Sequence, residues 1–98
     1  MDSKSFTILW KGNPVGIASN LTCEHTWLHG EFTLLPGGQS LAEFFNWMTD
    51  ETKGWTDPPF GDDLLSPENW EVEDASGKRH PIEVPAVKNL SLISWRWR

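Results

Sequence analysis

The stretch TWLHGEFTLLPGGQSLAEFFNWM, residues 26–48, decides the fold. Its first ten residues favour a strand, with Trp27 and Leu28 at one end, Phe32, Leu34 and Leu35 at the other, and a stop at Pro36-Gly37-Gly38. Gly30 inside that run predicts a bulge or the close approach of another backbone. The periodicity then changes. Leu41, Phe44, Phe45 and Met48 recur at i, i+3, i+4 and i+7, an apolar stripe with Trp47 at its rim. Ser40 followed by Glu43 has capping-box spacing, which predicts a helix start at Ser40. Lys53-Gly54 supplies a cation and a left-handed cap for its end.

Outward from this unit, the flanks favour strands. Residues 5–11 alternate with Phe6, Ile8 and Trp10 on one side; Gly12-Asn13-Pro14 supplies a turn, and residues 15–21 resume with Val15, Ile17 and Leu21. Beyond the helix, Trp70-Glu71-Val72-Glu73 alternates, Asp74-Ala75-Ser76-Gly77 turns, and residues 78–84 return with Ile82 and Val84 on one side. Pro81 and Pro85 have no N–H to give a ladder, so the returning strand should be short or lie at an edge. Residues 90–97 form the last strand, with Leu90 and Leu92 on one face and Ile93, Trp95 and Trp97 on the other. The expected class is α+β: an antiparallel sheet in the order β-β-β-α-loop-β-β-β with one helix packed on one face.

Ninety-eight residues suit one domain, spanning 1–98, with enough apolar surface to fold unaided. Cys23 is the single cysteine, so no internal disulfide forms, and residues 1–4 lack the layout of a secretory signal; the expectation is a cytoplasmic protein. No apolar run approaches the roughly 18 to 20 residues of a membrane-spanning helix. The net charge of −6 is concentrated: residues 43–74 hold ten acids and one lysine, and the remainder holds four acids and seven bases. That field disfavours nucleic acid and anionic membrane, and it favours a basic protein partner.

Seven tryptophans and no tyrosine give almost every segment a large ring with one polar edge. Residues 54–69 hold three prolines and two glycines and are expected to be a long loop, folded onto the body by Trp55, Phe60, Leu64 and Leu65. Trp47, Trp55 and Phe60 beside Asp57, Asp62 and Asp63 would form an apolar patch ringed by negative charge. Aromatic anchors supply affinity there, and the acids steer a basic partner.

Cys23, His25 and His29 are the candidate metal ligands. On one continuous strand they would share a face with Trp27 and Glu31, yet ligands two residues apart stand about 6.5 to 7 Å from one another, too wide for several to hold one ion. A thiolate–imidazole nucleophile from the same residues lacks an orienting partner identifiable in the sequence. The carboxylate pairs and Asp57, Asp62 and Asp63 do not have EF-hand spacing, and no phosphate-cradling motif occurs. No cofactor is expected.

The run from Val15-Gly16 through Trp27-Leu28-His29-Gly30-Glu31-Phe32 to Ser40 resembles small bacterial proteins with no assigned activity. The acidic, tryptophan-rich composition is also similar to that of toxin-neutralising immunity proteins. These resemblances carry over no functional residue; the acidic aromatic region from Trp47 to Trp70 itself favours a non-enzymatic protein that binds another protein, a monomer or weak homodimer. A small-molecule binder with a tryptophan-lined cleft, and a small Cys/His metal protein or enzyme, are the alternatives.

Overall fold

A computed structural model describes residues 5–48, 64 and 66–97. Seven strands form one antiparallel sheet: β1 (Phe6–Trp10), β2 (Asn13–Glu24), β3 (Trp27–Leu34), β4 (Trp70–Glu73), β5 (Arg79–Pro81), β6 (Ala86–Lys88) and β7 (Leu92–Arg96). Their spatial order is β5-β4-β1-β2-β3-β7-β6. The two edge strands, β5 and β6, are consecutive in the chain, so the short link between them must pass from one edge to the other. It does so along the end of β7. Ile82 N–H donates to the Trp70 carbonyl at 3.3 Å, Glu83 N–H donates to the Arg96 carbonyl at 2.9 Å, and Ile82 bridges to Trp97. The sheet therefore curls into a half-barrel.

The turns explain the hairpins. Lys11 and Gly12 both take positive φ, at 51° and 81°, the conformation that continues the right-handed strand twist through a two-residue connection. His25 at φ 57° leads the two-residue turn between β2 and β3. Asn89 and Leu90, at 53° and 55°, reverse the chain between β6 and β7, and the Leu90 side chain packs against the core in return.

Three expectations are corrected. Four strands, not three, follow the helix, because the predicted return over residues 78–84 shortens to β5 and a separate β6 forms. Leu90 lies in a left-handed turn ahead of β7 rather than inside it. The helical segment opens with a 3-10 turn at Pro36–Leu41, whose cap residue Leu35 makes no side-chain cap bond, and continues as α1 (Ala42–Met48). Ser40 thus sits inside a helical turn and does not cap one. Pro36 starts the helix early because its fixed φ suits a first helical position. The predicted helix end at Lys53-Gly54 lies outside the described residues.

The apolar stripe holds at Leu41, Phe44 and Phe45, and the Met48 side chain lies outside what is described. Leu41, Phe44 and Phe45 are buried against Ile8, Val15, Ala18, Phe32, Trp70, Val72, Val87, Ile93 and Trp95, so α1 fills the concave side of the half-barrel. Phe44 stacks on Trp70 at 6.3 Å, and Phe45 meets Phe32 edge-on at 5.7 Å. The Trp70 indole N–H donates to the Leu64 carbonyl at 2.9 Å, whereas the Trp95 indole N–H is buried without a hydrogen-bond partner among the described residues. With the helix on the inner side, no helix or strand among the described residues covers the convex face of β2, β3 and β7.

Candidate functional site

That convex face is assembled by register. Cross-strand partners share a side of a sheet, so three rows can be read across it: Glu24, Trp27 and Arg96; Thr22, His29 and Ser94; and Ser19, Glu31, Leu92 and Lys88. Between Ser19 and Thr22 the pairing of β2 with β3 slips by a bulge. Asn20 occupies the bulge with φ 51°, a left-handed conformation that Asn tolerates better than most residues. Its side-chain amide reaches across to donate to Glu31 Oε2 at 2.6 Å.

Gly30 faces the bulge. A Cβ at that position would stand 2.6 Å from the Ser19 carbonyl oxygen and 2.5 Å from Leu21 Cδ2, so a glycine is what lets β2 bend inward here. The expectation of a close backbone approach at Gly30 is met. The bend leaves a shallow depression of about 360 Å³ floored by Gly30, with Asn20, Thr22, His29, Glu31, Ser94 and Leu92 around it. His29 Nδ1 and Ser94 Oγ are hydrogen-bonded at 2.7 Å, with the donor set by the imidazole tautomer.

Apolar surface stands beside these polar groups. Leu92 is 52% exposed and Trp27 is 40% exposed, two large apolar side chains on this face. The Trp27 ring stacks nearly parallel to His29 at 6.5 Å, and the Arg96 guanidinium lies 5.4 Å from its centroid.

A second polar cluster lies at the β4–β5 turn. Asp74 Oδ1 accepts from the Ser76 N–H at 2.9 Å, the Ser76 hydroxyl at 2.6 Å and the Lys78 N–H at 3.0 Å, and its Oδ2 accepts from His80 Nε2 at 2.9 Å. The His80 bond first, then the Ser76 and Lys78 bonds, hold the Asp74 carboxyl well below the usual carboxylate range. These contacts fix the hairpin end. Trp97, 45% exposed, meets the His80 ring edge-on at 5.7 Å.

The residues singled out from sequence fare unequally. Trp47 is half-buried at the rim of α1. Trp55, Asp57, Phe60, Asp62 and Asp63 lie outside the described residues. Cys23, His25 and His29 do not share one continuous strand, because the chain reverses at His25-Thr26. Cys23 pairs with Leu28 on β3, one register position from His29 and so on the other side of the sheet, and it is exposed with its thiol donating to the His25 carbonyl at 3.5 Å. Among the described residues, no three His, Cys, Asp or Glu groups are placed to hold a metal ion. The His29–Ser94 pair has the spacing of a base and a nucleophile, but among the described residues no carboxylate orients the imidazole.

Asn20, Leu92 and Ser94 are not singled out as a site by the sequence, and Glu31 enters there only as a neighbour of the Cys23, His25 and His29 cluster. His29 and Ser94 are 65 positions apart, and only the pairing of β3 with β7 joins them. The one local signal was Gly30. Comparison of the chain with protein-family models, curated proteins and solved structures returns no match, so the site is interpreted from its own geometry. No helix among the described residues is long and apolar enough to cross a membrane.

Proposed function

We propose that this protein is a non-enzymatic binding module whose ligand site is the depression on the convex face of β2, β3 and β7. The observation that carries this is the bulge at Asn20, which turns an otherwise regular sheet face into a concavity. Inside it, an amide–carboxylate pair and an imidazole–hydroxyl pair converge beside exposed Leu92, with exposed Trp27 in the next row beyond His29. Apolar walls with a few fixed polar groups are the usual composition of a ligand site. Each polar group is already held by a neighbour, so little side-chain entropy remains to be lost on binding.

A fragment screen on the isotope-labelled protein tests this. Saturable shifts of the amides of Thr22, His29, Glu31 and Ser94 are expected from at least some fragments. Shifts confined to other surfaces, or none, refute the assignment.

A basic protein partner is the second possibility, supported by the net charge of −6 and by the exposed Trp27 and Trp97 rings. The acidic aromatic segment over residues 47–70 belongs to that proposal. Charge-reversal of Asp62 and Asp63 together would then weaken capture of the partner without affecting fragment binding at the sheet face. The edge strands β5 and β6 have three residues each, which gives a second copy little to pair with and supports a monomer.

A further inference from the structure

We propose that the depression takes a neutral, polyhydroxylated ring, a sugar unit. The inference rests on the ligand-site assignment above and names the chemistry of its occupant.

Charge comes first. Glu31 lies in the depression and makes no ion pair with a cation among the described residues; its hydrogen bond comes from the Asn20 amide. On its own that carboxylate would select a cation. The neighbouring register positions oppose this, since Lys88 stands across Leu92 in the same row and Arg96 stands in the row of Trp27, with Glu24 completing two charges of each sign. An anion meets Glu31 in the depression itself, and a cation approaches with Lys88 set back beyond Leu92 and Arg96 two rows away. A neutral ligand meets neither penalty.

Hydrogen bonding comes second. A carboxylate oxygen beside an amide N–H presents an acceptor and a donor at adjacent points, which matches two neighbouring ring hydroxyls, one donating to Glu31 and the next accepting from Asn20. Ser94, His29 and Thr22 offer further groups able to donate or accept according to the hydroxyl rotor and tautomer. The ring's C–H face then has exposed Leu92 to lie against, burying apolar area that water would otherwise cover. Openness fits as well: a hydroxylated ligand keeps its outer groups in water and does not need an enclosed pocket.

The experiment titrates the labelled full chain with glucose, galactose, mannose and N-acetylglucosamine, and in parallel with lysine amide and sodium phosphate. At least one sugar is expected to give saturable shifts at Thr22, His29, Glu31 and Ser94, with Glu31→Gln and Asn20→Gly, the latter keeping the left-handed backbone at no steric cost, each weakening binding about tenfold while the rest of the amide spectrum stays in place. Saturation by lysine amide or phosphate but by no sugar overturns the proposal. So does sugar binding that both substitutions leave unchanged. Where fragments bind at these amides and no sugar does, the ligand site survives and the sugar assignment falls. Should either variant fail to fold, the wild-type titration against the two charged probes decides alone.

Discussion

Gly30→Ala probes both the fold and the site. The added Cβ would stand 2.6 Å from the Ser19 carbonyl oxygen and 2.5 Å from Leu21 Cδ2, against an unstrained separation of about 3.5 Å, so something must move by close to an ångström. Leu21 can swing its methyl aside. The Ser19 carbonyl cannot do so without moving the bulged backbone, which also positions Asn20 opposite Glu31. Overpacking of this kind costs about 1–3 kcal/mol, and relief of glycine's excess unfolded-state entropy returns about 0.5–1 kcal/mol. The net expectation is a loss of about 1–2 kcal/mol. With a urea dependence of about 2 kcal/mol per molar, mid-range for a small domain, the midpoint should fall by roughly 0.5–1 M. Urea unfolding followed by tryptophan fluorescence gives the midpoint, and the amide shifts of Asn20 and Glu31 show whether the bulge has moved. A midpoint equal to or above that of the parent protein would refute the close approach, and with it the account of how the depression forms.

Gly77→Ala should lose about 1–2 kcal/mol for a different reason, since φ is 86° and nothing lies within 4 Å of the new Cβ; a larger loss would point to a contact the turn does not have. Trp70→Phe should destabilise more than Trp95→Phe, both being fully buried, because only the first breaks an indole hydrogen bond, to Leu64. The expected gap is about 1–3 kcal/mol by chemical denaturation, and equal losses would contradict it. Asp74, held below the ordinary carboxylate range chiefly by His80, contributes stability that is fully present above about pH 4 and is lost as pH falls below that. Asp74→Ala should therefore show a shallower acid decline in stability than the parent, and high salt should narrow the difference; parallel acid limbs would show that the His80 bond does not persist in solution.

Residues 26–48 made a strand, a stop and an apolar helix stripe legible because each depends on neighbours within a few positions. Phe44 and Phe45 are fully buried as the 3.6-residue period requires, and the Gly30 close approach was readable because a strand tolerates glycine poorly without a reason. The strand over β6 was not legible. Its boundary with β7 is an Asn89-Leu90 reversal, and leucine at positive φ carries no local turn signal; the conformation is held by packing of its side chain on the core. The helix start was misplaced because capping-box spacing at Ser40 and Glu43 competed with a proline-led turn four residues earlier.

The candidate site divides the same way. Sequence alone determined the class of the protein, the core face of its helix, the acidic balance and the singular character of Gly30. Tertiary structure decided which polar residues meet: it closed a hairpin at His25-Thr26 that put Cys23 and His29 on opposite sides of the sheet, and laid β7 beside β3 so that Ser94 reaches His29. Periodicity is a property of neighbours along the chain, whereas register between strands 65 positions apart is chosen by burial of the whole core, and the open face acquires its chemistry as a consequence of what the inner face must hide.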